Sequence, residues 1–331
     1  MDERKEVSFR IFRYDPQLDS APYFDNFRIP VEKGVTVLRA LNYIKDHIEP
    51  KLTYRIYCQA GICGSCSMKI NGVSKLACMT QVWLELDNCR EKDVIVIEPI
   101  GNLNVIRDLV VDMDPVVEKL KDYYVWVEPT KEKSEIGEKE YLISEEKFQE
   151  YDQATDCILC ASCVSECTMM EADRKYISPV VLLKTFRMNI DERDSNHKKR
   201  LKKVAADHGV WDCTHCYKCV EHCVKRIDIM KGIHVLREDA LKTPGLKKSE
   251  GAKHARAFYD DIQKKGHLIE MTLPSRTLGI RKTIAMTPSA IGMFLKGRLP
   301  PIPIFMGSIP GIRKVRYIYR ELKKRGKKKK G

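Results

Sequence analysis

Apolar and polar residues alternate through residues 7 to 14, Val-Ser-Phe-Arg-Ile-Phe-Arg-Tyr, with the two-residue period of a strand buried on one face. After Gly34 the period lengthens. Leu38, Leu41, Ile44 and Ile48 fall on one side of a helix, and Thr36 stands where an N-cap hydroxyl belongs. Asn71-Gly72, between the short apolar runs of residues 67 to 77, predicts a tight hairpin. Residues 94 to 97 predict another strand, which Pro99 ends. Strands gathered around one helix within about a hundred residues predict a small α+β domain.

Residues 128 to 141 are densely charged and read as a surface linker. Beyond them strand signals fade. Residues 179 to 206 predict a helix with Val180, Leu183 and Met188 on one side, so the second domain is expected to be all-α. Residues 241 to 331 are rich in Lys, Gly and Pro and are expected to form a basic, partly disordered extension. The expected domains are therefore 1–115, 116–240 and 241–331. No apolar run is long enough to span a bilayer. The first residues, Met1-Asp2-Glu3-Arg4-Lys5-Glu6, resemble neither a secretory signal nor a transit peptide, which makes a cytoplasmic location the expectation.

The formal charge of +13 over 331 residues is unevenly placed. From residue 231 onwards there are 25 Lys and Arg against 7 Asp and Glu, whereas the rest of the chain carries 34 against 39. The basicity belongs to the tail. It reads as a solvated face or as a surface for anionic lipid, with apolar Phe294, Leu295, Leu299, Ile304 and Phe305 nearby. Pro300, Pro301 and Pro303 interrupt that stretch, so it does not span a membrane. No nucleic-acid-binding module accompanies the charge, which argues against nucleic acid as a partner.

Twelve of the thirteen cysteines come in three clumps, and Cys89 stands apart as a structural thiol. Clumping at short spacings in a reducing compartment means metal rather than disulfides. Cys58-x4-Cys63-x2-Cys66 followed by Cys78 has the plant-type spacing for a 2Fe–2S cluster. Gly61 and Gly64 let that loop wrap and turn its N–H groups toward sulfur. A zinc site is the plain alternative, although zinc loops favour two C-x2-4-C pairs. Cys157-x2-Cys160-x2-Cys163-x3-Cys167 recurs as Cys213-x2-Cys216-x2-Cys219-x3-Cys223, offset by 56 throughout. Both match the dicluster run in which the fourth cysteine binds the other cluster. That pattern assigns Cys157, Cys160, Cys163 and Cys223 to one 4Fe–4S cluster, and Cys213, Cys216, Cys219 and Cys167 to a second. Two separate zinc sites are the alternative. The proline often found after the fourth cysteine is replaced by Thr168 and Val224.

Over roughly residues 7 to 235 the sequence resembles the iron–sulfur subunit of the succinate dehydrogenase and fumarate reductase family. The resemblance is carried by Phe9-Arg10-Ile11-Phe12-Arg13-Tyr14, the 58 to 78 loop, and Pro99-Ile100-Gly101-Asn102 running on to Met113. It continues through Cys157-Ile158-Leu159-Cys160-Ala161, Tyr176-Ile177-Ser178-Pro179 and Asp191-Glu192-Arg193-Asp194. It implies a β-grasp 2Fe–2S ferredoxin domain followed by a helical dicluster ferredoxin domain. It also implies electron transfer through three clusters in line, between an FAD-containing flavoprotein subunit and quinone or a membrane-anchor or membrane-associated subunit. The chain would then lie on the inner face of the cell membrane through those partners. Typical members carry a 3Fe–4S cluster nearest the quinone, with a non-cysteine residue where this chain has Cys216. The extra thiol resembles the subset allied to methylmenaquinol-type and thiol-linked fumarate reductases, as does Ala255-Arg256-Ala257-Phe258-Tyr259-Asp260-Asp261-Ile262. A complete 4Fe–4S cluster is expected, with 3Fe–4S and a bystander Cys216 as the alternative.

Trp211, His215 and His222 lie close to the third set and either line a quinone site or simply pack around a cluster. No Gly-rich dinucleotide fingerprint follows a strand, so flavin is expected on a partner. Nor is there an Arg and His set for dicarboxylate chemistry. Two other readings are a cluster-dependent dehydratase, which needs an iron with an open position, and a heterodisulfide- or thiol-linked electron carrier served by a cysteine-rich partner.

Overall fold

The structure, a computed structural model, describes residues 4–89, 91, 93–130, 140, 142–298 and 307–328. Most of the expected linker, the segment 299–306 with Leu299, Ile304 and Phe305, and the last three residues lie outside these. By density of internal contacts the chain divides once, into Met1–Glu238 and Asp239–Gly331.

The first unit begins with a five-stranded sheet. β1 (Arg4–Arg13) pairs antiparallel with β2 (Tyr23–Glu32), and helix α1 (Val37–His47) follows. β3 (Ser67–Ile70) and β4 (Val73–Leu76) form a hairpin, a short α2 (Val82–Leu86) comes next, and β5 (Val94–Glu98) enters the centre. The order is β2-β1-β5-β3-β4, with β1 and β5 parallel and β3 antiparallel to β5. Val7, Phe9, Ile11, Ile95 and Ile97 are wholly buried, and α1 adds Leu38, Leu41 and Ile44 to the same core. Thr36 caps α1 by accepting a hydrogen bond from the Arg39 amide at 3.3 Å. Ile48, expected on the buried face, is instead the C-cap and is exposed. Sequence periodicity missed β2. Phe27, Ile29 and Val31 do alternate inward there, but Pro30 interrupts the pattern, and proline is tolerated because β2 is an edge strand.

Asn71 and Gly72 both adopt left-handed backbone, at φ 52° and 81°, as the tight hairpin turn requires. The Asn71 side chain also accepts from the Val96 amide at 3.0 Å and donates to the Glu85 carbonyl at 3.2 Å. The turn is thereby pinned to β5.

β6 (Val105–Arg107) and β7 (Val110–Val111) make a small separate ribbon. At its turn the buried Asp108 carboxylate accepts from Arg13 Nε at 3.1 Å, the Tyr14 amide at 3.0 Å and the Thr53 amide at 2.9 Å. One carboxylate thus ties three distant stretches of chain together.

The remainder of this unit is helical: α3 (Asp114–Asp122), α4 (Glu145–Thr155), α5 (Ser162–Ser165), α6 (Thr168–Ala172), α7 (Pro179–Asn189), α8 (His197–Val204), α9 (Lys218–Glu221) and α10 (Ile229–Lys242), whose residues from Asp239 on belong to the second unit. Apart from a single bridge between Pro129 and Asp194, the described residues of 116–240 hold no strand. The long helix expected over 179 to 206 is two helices. Between them Asp191 and Asp194 turn back on their own loop and accept from the Arg193 and Asn196 amides at 3.1 and 3.0 Å, which competes with helical pairing. Asp194 also accepts from both terminal guanidinium nitrogens of Arg200, Nη1 at 2.7 Å and Nη2 at 3.1 Å, with both side chains fully buried. Arg200 spends its remaining donors on the Tyr124 and Trp126 carbonyls.

The second unit contains α11 (Glu250–Lys265), α12 (Leu273–Leu278), α13 (Ile280–Leu295) and α14 (Ile312–Lys328). The partly disordered extension expected from composition is therefore predominantly helical where described. The cause is local. Ser249 caps α11 at its start, and Gly266, at φ 82°, closes its end with an N–H to the Ile262 carbonyl.

Removing one partner of the Arg200–Asp194 pair strands a buried charge. Asp194→Ala is expected to lower stability by about 3–5 kcal/mol, read as a shift in the urea unfolding midpoint. A midpoint within error of the parent would contradict this account of the pair.

Candidate metal centres

The first cysteine set occupies the loop between α1 and β3, closed by Cys78 just after β4. The amides of Ala60, Ile62 and Cys63 point at Cys58 Sγ at 3.4, 3.4 and 3.2 Å, and the Gly61 amide points at Cys78 Sγ at 3.3 Å. Gly61 and Gly64 supply the left-handed bends, at φ 68° and 75°. Burial pushes the Cys66 thiol up to about 12, with Cys78 and Cys63 adding to the rise. Cys63 is drawn down to about 6, first by hydrogen bonding to the Ser65 side chain. The loop thus surrounds four adjacent sulfurs with inward amides, an environment that suits an anionic sulfur cluster and that zinc does not need.

The two later runs repeat in three dimensions. Leu159 and Ala161 are left-handed in the first, and His215 and Tyr217, 56 positions on, are left-handed in the second. Each run then enters a single turn, α5 or α9, and the turn hydrogen bonds correspond. The Val164 amide donates to the Ala161 carbonyl at 3.0 Å, and the Val220 amide to the Tyr217 carbonyl at 2.9 Å. The Cys167 and Cys223 amides each donate to the residue three back, at 3.2 Å in both. The sequence echo is therefore one backbone shape used twice, and the two turns pack against each other.

That packing exchanges the fourth cysteines. Cys157, Cys160 and Cys163 line a largely apolar cavity whose wall also contains Cys223, with Val180 and Leu183 from α7. Cys163 is buried, and its thiol is held well above its usual range by that burial and then by the neighbouring Cys160 and Cys157. On the other side, burial pushes Cys219 up to about 12, and Cys213, Cys167 and Cys216 contribute to that rise. Cys216 is exposed. Burial works against its thiolate, but the Lys218 amide and the Thr168 and Thr214 hydroxyls outweigh it and lower its pKa. Cys89 sits apart from all three sets, donating to the Glu85 carbonyl at 3.2 Å.

The first set and the first run approach closely. A Cβ on Gly64 would lie 2.9 Å from Cys160 Cβ and 3.1 Å from the Ile158 carbonyl oxygen. A cleft between the first set and the end of the second run is lined by Gly61, Ile62, Met79, His222 and Cys223. Asn102, left-handed at φ 62°, directs its side-chain amide at the carbonyls of Val164, Ser165 and Cys167, at 2.8, 3.1 and 3.0 Å. The Gly101 amide and the Ser74 hydroxyl both reach Ser165 Oγ, at 2.8 and 2.7 Å. The sequence marked Asn102 and Gly101 only as part of a family-like segment. Their work as a clamp on α5 shows only when the two halves are folded together.

Around the third set, Arg237 is the organising residue. It donates to the Val210, Trp211 and Cys213 carbonyls at 3.0, 3.0 and 2.9 Å and to His215 Nε2 at 2.6 Å. Burial and then the Arg237 charge hold His215 down to about 4, so it is neutral at ordinary pH. Tyr176 is buried beside Cys213, and burial followed by the charge of Cys213 raises its phenol far above the usual range. Of the three residues singled out in the sequence, Trp211 and His215 border this set, while His222 lies on the cleft beside the first.

Residues 8–118 match the family described as a 2Fe-2S iron-sulfur cluster binding domain, and residues 153–227 match a 4Fe-4S dicluster domain. The 8-methylmenaquinol:fumarate reductase iron-sulfur subunit of Wolinella succinogenes is 34% identical over 305 residues, covering 91% of this chain and 93% of that protein. This chain belongs to the iron–sulfur subunits of fumarate reductase and succinate dehydrogenase. Other members match as well. The fumarate reductase iron-sulfur subunit of Escherichia coli is 32% identical over 228 residues, 69% of this subunit and 90% of that one. The mitochondrial succinate dehydrogenase [ubiquinone] iron-sulfur subunit of Dictyostelium discoideum is 34% identical over 239 residues, 70% and 82% respectively. The fold is similar to a solved chain described as the Mycobacterium smegmatis Sdh1 complex in the apo form, with TM-score 0.63 and 24% identity, covering 73% of this subunit and all of that chain.

This iron–sulfur subunit is an electron-transfer protein with a 2Fe–2S and a 4Fe–4S dicluster domain, and its relatives do not favour the thiol-linked reading. The clusters supply one-electron oxidation and reduction. The protein's own residues hold sulfur, aim amides at it and set the spacing between centres.

Gly64→Ala tests that spacing. The left-handed backbone alone costs about 1–2 kcal/mol, and the new Cβ collides with Cys160 and the Ile158 carbonyl. The expected result is a weaker dinuclear EPR signal per chain. Gly72→Ala is equally left-handed but meets nothing within 4 Å, so it should leave that signal intact. Equal losses in the two variants would show that backbone strain, not the approach to Cys160, governs the site.

Proposed function

We propose that Cys58, Cys63, Cys66 and Cys78 hold the dinuclear cluster, that Cys157, Cys160, Cys163 and Cys223 hold one cubane, and that Cys167, Cys213, Cys216 and Cys219 hold a second complete cubane. The observation that carries this assignment is the cavity shared by Cys157, Cys160 and Cys163 with Cys223, a residue from the other run. Cys216 occupies the place in the second run that Cys160 occupies in the first, flanked by the same pair of left-handed residues. That equivalence supports a fourth thiolate for the last cluster. Residues 1–115 and 116–240 are then the two cluster-bearing halves.

The three centres follow one another from the 58–78 loop, through the cavity beside Gly64, to the Arg237 side. In this reading an FAD-containing flavoprotein subunit docks at the first centre and handles succinate or fumarate. A membrane-anchor or membrane-associated subunit, with quinone as the electron partner, meets the last. The Wolinella relative bears the name of a methylmenaquinol-linked enzyme, which agrees with the extra cysteine. The complex would work at the cytoplasmic face of the cell membrane. Among the described residues no helix is long and apolar enough to cross a membrane, so attachment falls to partners or to a surface.

EPR of the anaerobically purified complex tests the third cluster. As isolated it should lack a three-iron signal, and dithionite should reveal two interacting 4Fe–4S clusters. Cys216→Ser should then convert one of them to a three-iron signal. A strong three-iron signal in the parent complex, unaffected by added iron and sulfide, would make Cys216 a bystander.

A further inference from the structure

The second unit has its own polar anchor. Asp261 is buried, pairs with Arg276 and accepts from the Ile269 amide at 3.1 Å, while Ala252 and Ala257 of α11 are buried beside it. α13 has no such embedding. None of its side chains is buried, and it carries no ionisable residue from Thr283 to Leu295. At 100° per residue, Ile280, Ile284, Ile291 and Leu295 fall on one stripe, and they are 74%, 65%, 54% and 80% exposed. An apolar helix with no buried face is not a stable element in water without a cover.

The charges say what covers it. Arg281 lies in its first turn beside Lys282, which pairs with Glu250 of α11, and Lys296 and Arg298 follow its last. α14 is strongly amphipathic and presents Ile318 and Leu322 to solvent, one turn apart among cations. From residue 271 to the end there are sixteen Lys and Arg and a single acidic residue, Glu321. A protein partner normally fixes register with charges of both signs. A field of one sign around an exposed apolar stripe instead complements a diffuse negative surface. Sixteen residues give α13 a length of about 24 Å, short of the roughly 30 Å hydrocarbon core, so it fits in the interface with its end cations reaching the headgroups.

We propose that the second unit binds an anionic lipid bilayer directly, with α13 lying in the interface and the basic α14 on the headgroups. This stands on the second unit alone and does not depend on the electron-transfer reading. The chain would then hold the membrane itself, in addition to any attachment through partner subunits.

The test uses the full, cluster-loaded chain and vesicles of phosphatidylcholine with or without phosphatidylglycerol. Partitioning should rise at least about tenfold with the anionic lipid and weaken as salt is added. The triple variant Ile284→Ser, Ile291→Ser, Leu295→Ser should lower it at least about tenfold, with visible cluster absorption unchanged. Phe294→Trp, also exposed, should add a component to the emission that shifts to the blue on anionic vesicles. No partitioning into anionic vesicles at low salt would overturn the proposal. So would partitioning that salt abolishes and the serine substitutions leave untouched, since charge alone would then act. Loss of a partner subunit from the purified complex carrying the triple variant, with that variant's vesicle binding unchanged, would also overturn it and give the stripe to a protein.

Discussion

The backbone of the 58–66 loop reaches Cys160 because residue 64 has no Cβ. That approach sets how near the first candidate site lies to the cavity of Cys157, Cys160 and Cys163. Much of the surrounding structure serves it. Asn102 sends two N–H groups toward three carbonyls of the α5 turn, and Ser74, Gly101 and Ser165 form a second row of hydrogen bonds beside it. A polar seam of this kind is costly when half made and specific when complete, because each unsatisfied member would be left without water. It therefore fixes one docking geometry for the two halves rather than merely joining them.

A second constraint comes from the repeated run. Left-handed residues on either side of the second cysteine throw three sulfurs to one side of a tight loop, and the turn that follows carries the fourth away. Two such loops packed turn against turn bring each fourth cysteine beside the other loop's three. Metal binding is coupled to the assembly of these sites, since thiols gathered this closely and buried resist ionisation until iron neutralises them. Arg200–Asp194 and Arg13–Asp108 brace the periphery by the same logic of buried charge fully paired.

Some of this was legible in the sequence and some was not. β1, α1 and the Asn71-Gly72 hairpin follow from period and turn chemistry, because those segments pack one face on one core. β2 was lost to Pro30, whose tolerance depends on being at the sheet edge, a fact about neighbours and not about residues. The break between α7 and α8 depends on where Asp191 and Asp194 find arginines. The helices of the second unit were hidden by a Lys, Gly and Pro composition, although Ser249 and Gly266 mark the ends of α11 plainly enough. The cysteine spacing located the candidate centres, while Asn102, Tyr176 and Arg237 became functional candidates only through what they touch.

The two later centres depend on the exchange of fourth cysteines between runs. Cys223→Ser and Cys167→Ser, each compared with the parent by EPR and Mössbauer spectroscopy of the iron-57-labelled chain, test it directly. Crossed ligation predicts that Cys223→Ser perturbs the same cluster as Cys160→Ser, and that Cys167→Ser perturbs the same cluster as Cys219→Ser. The reverse pairing, with Cys223→Ser matching Cys219→Ser, would mean that each run closes on its own cluster and would contradict the account.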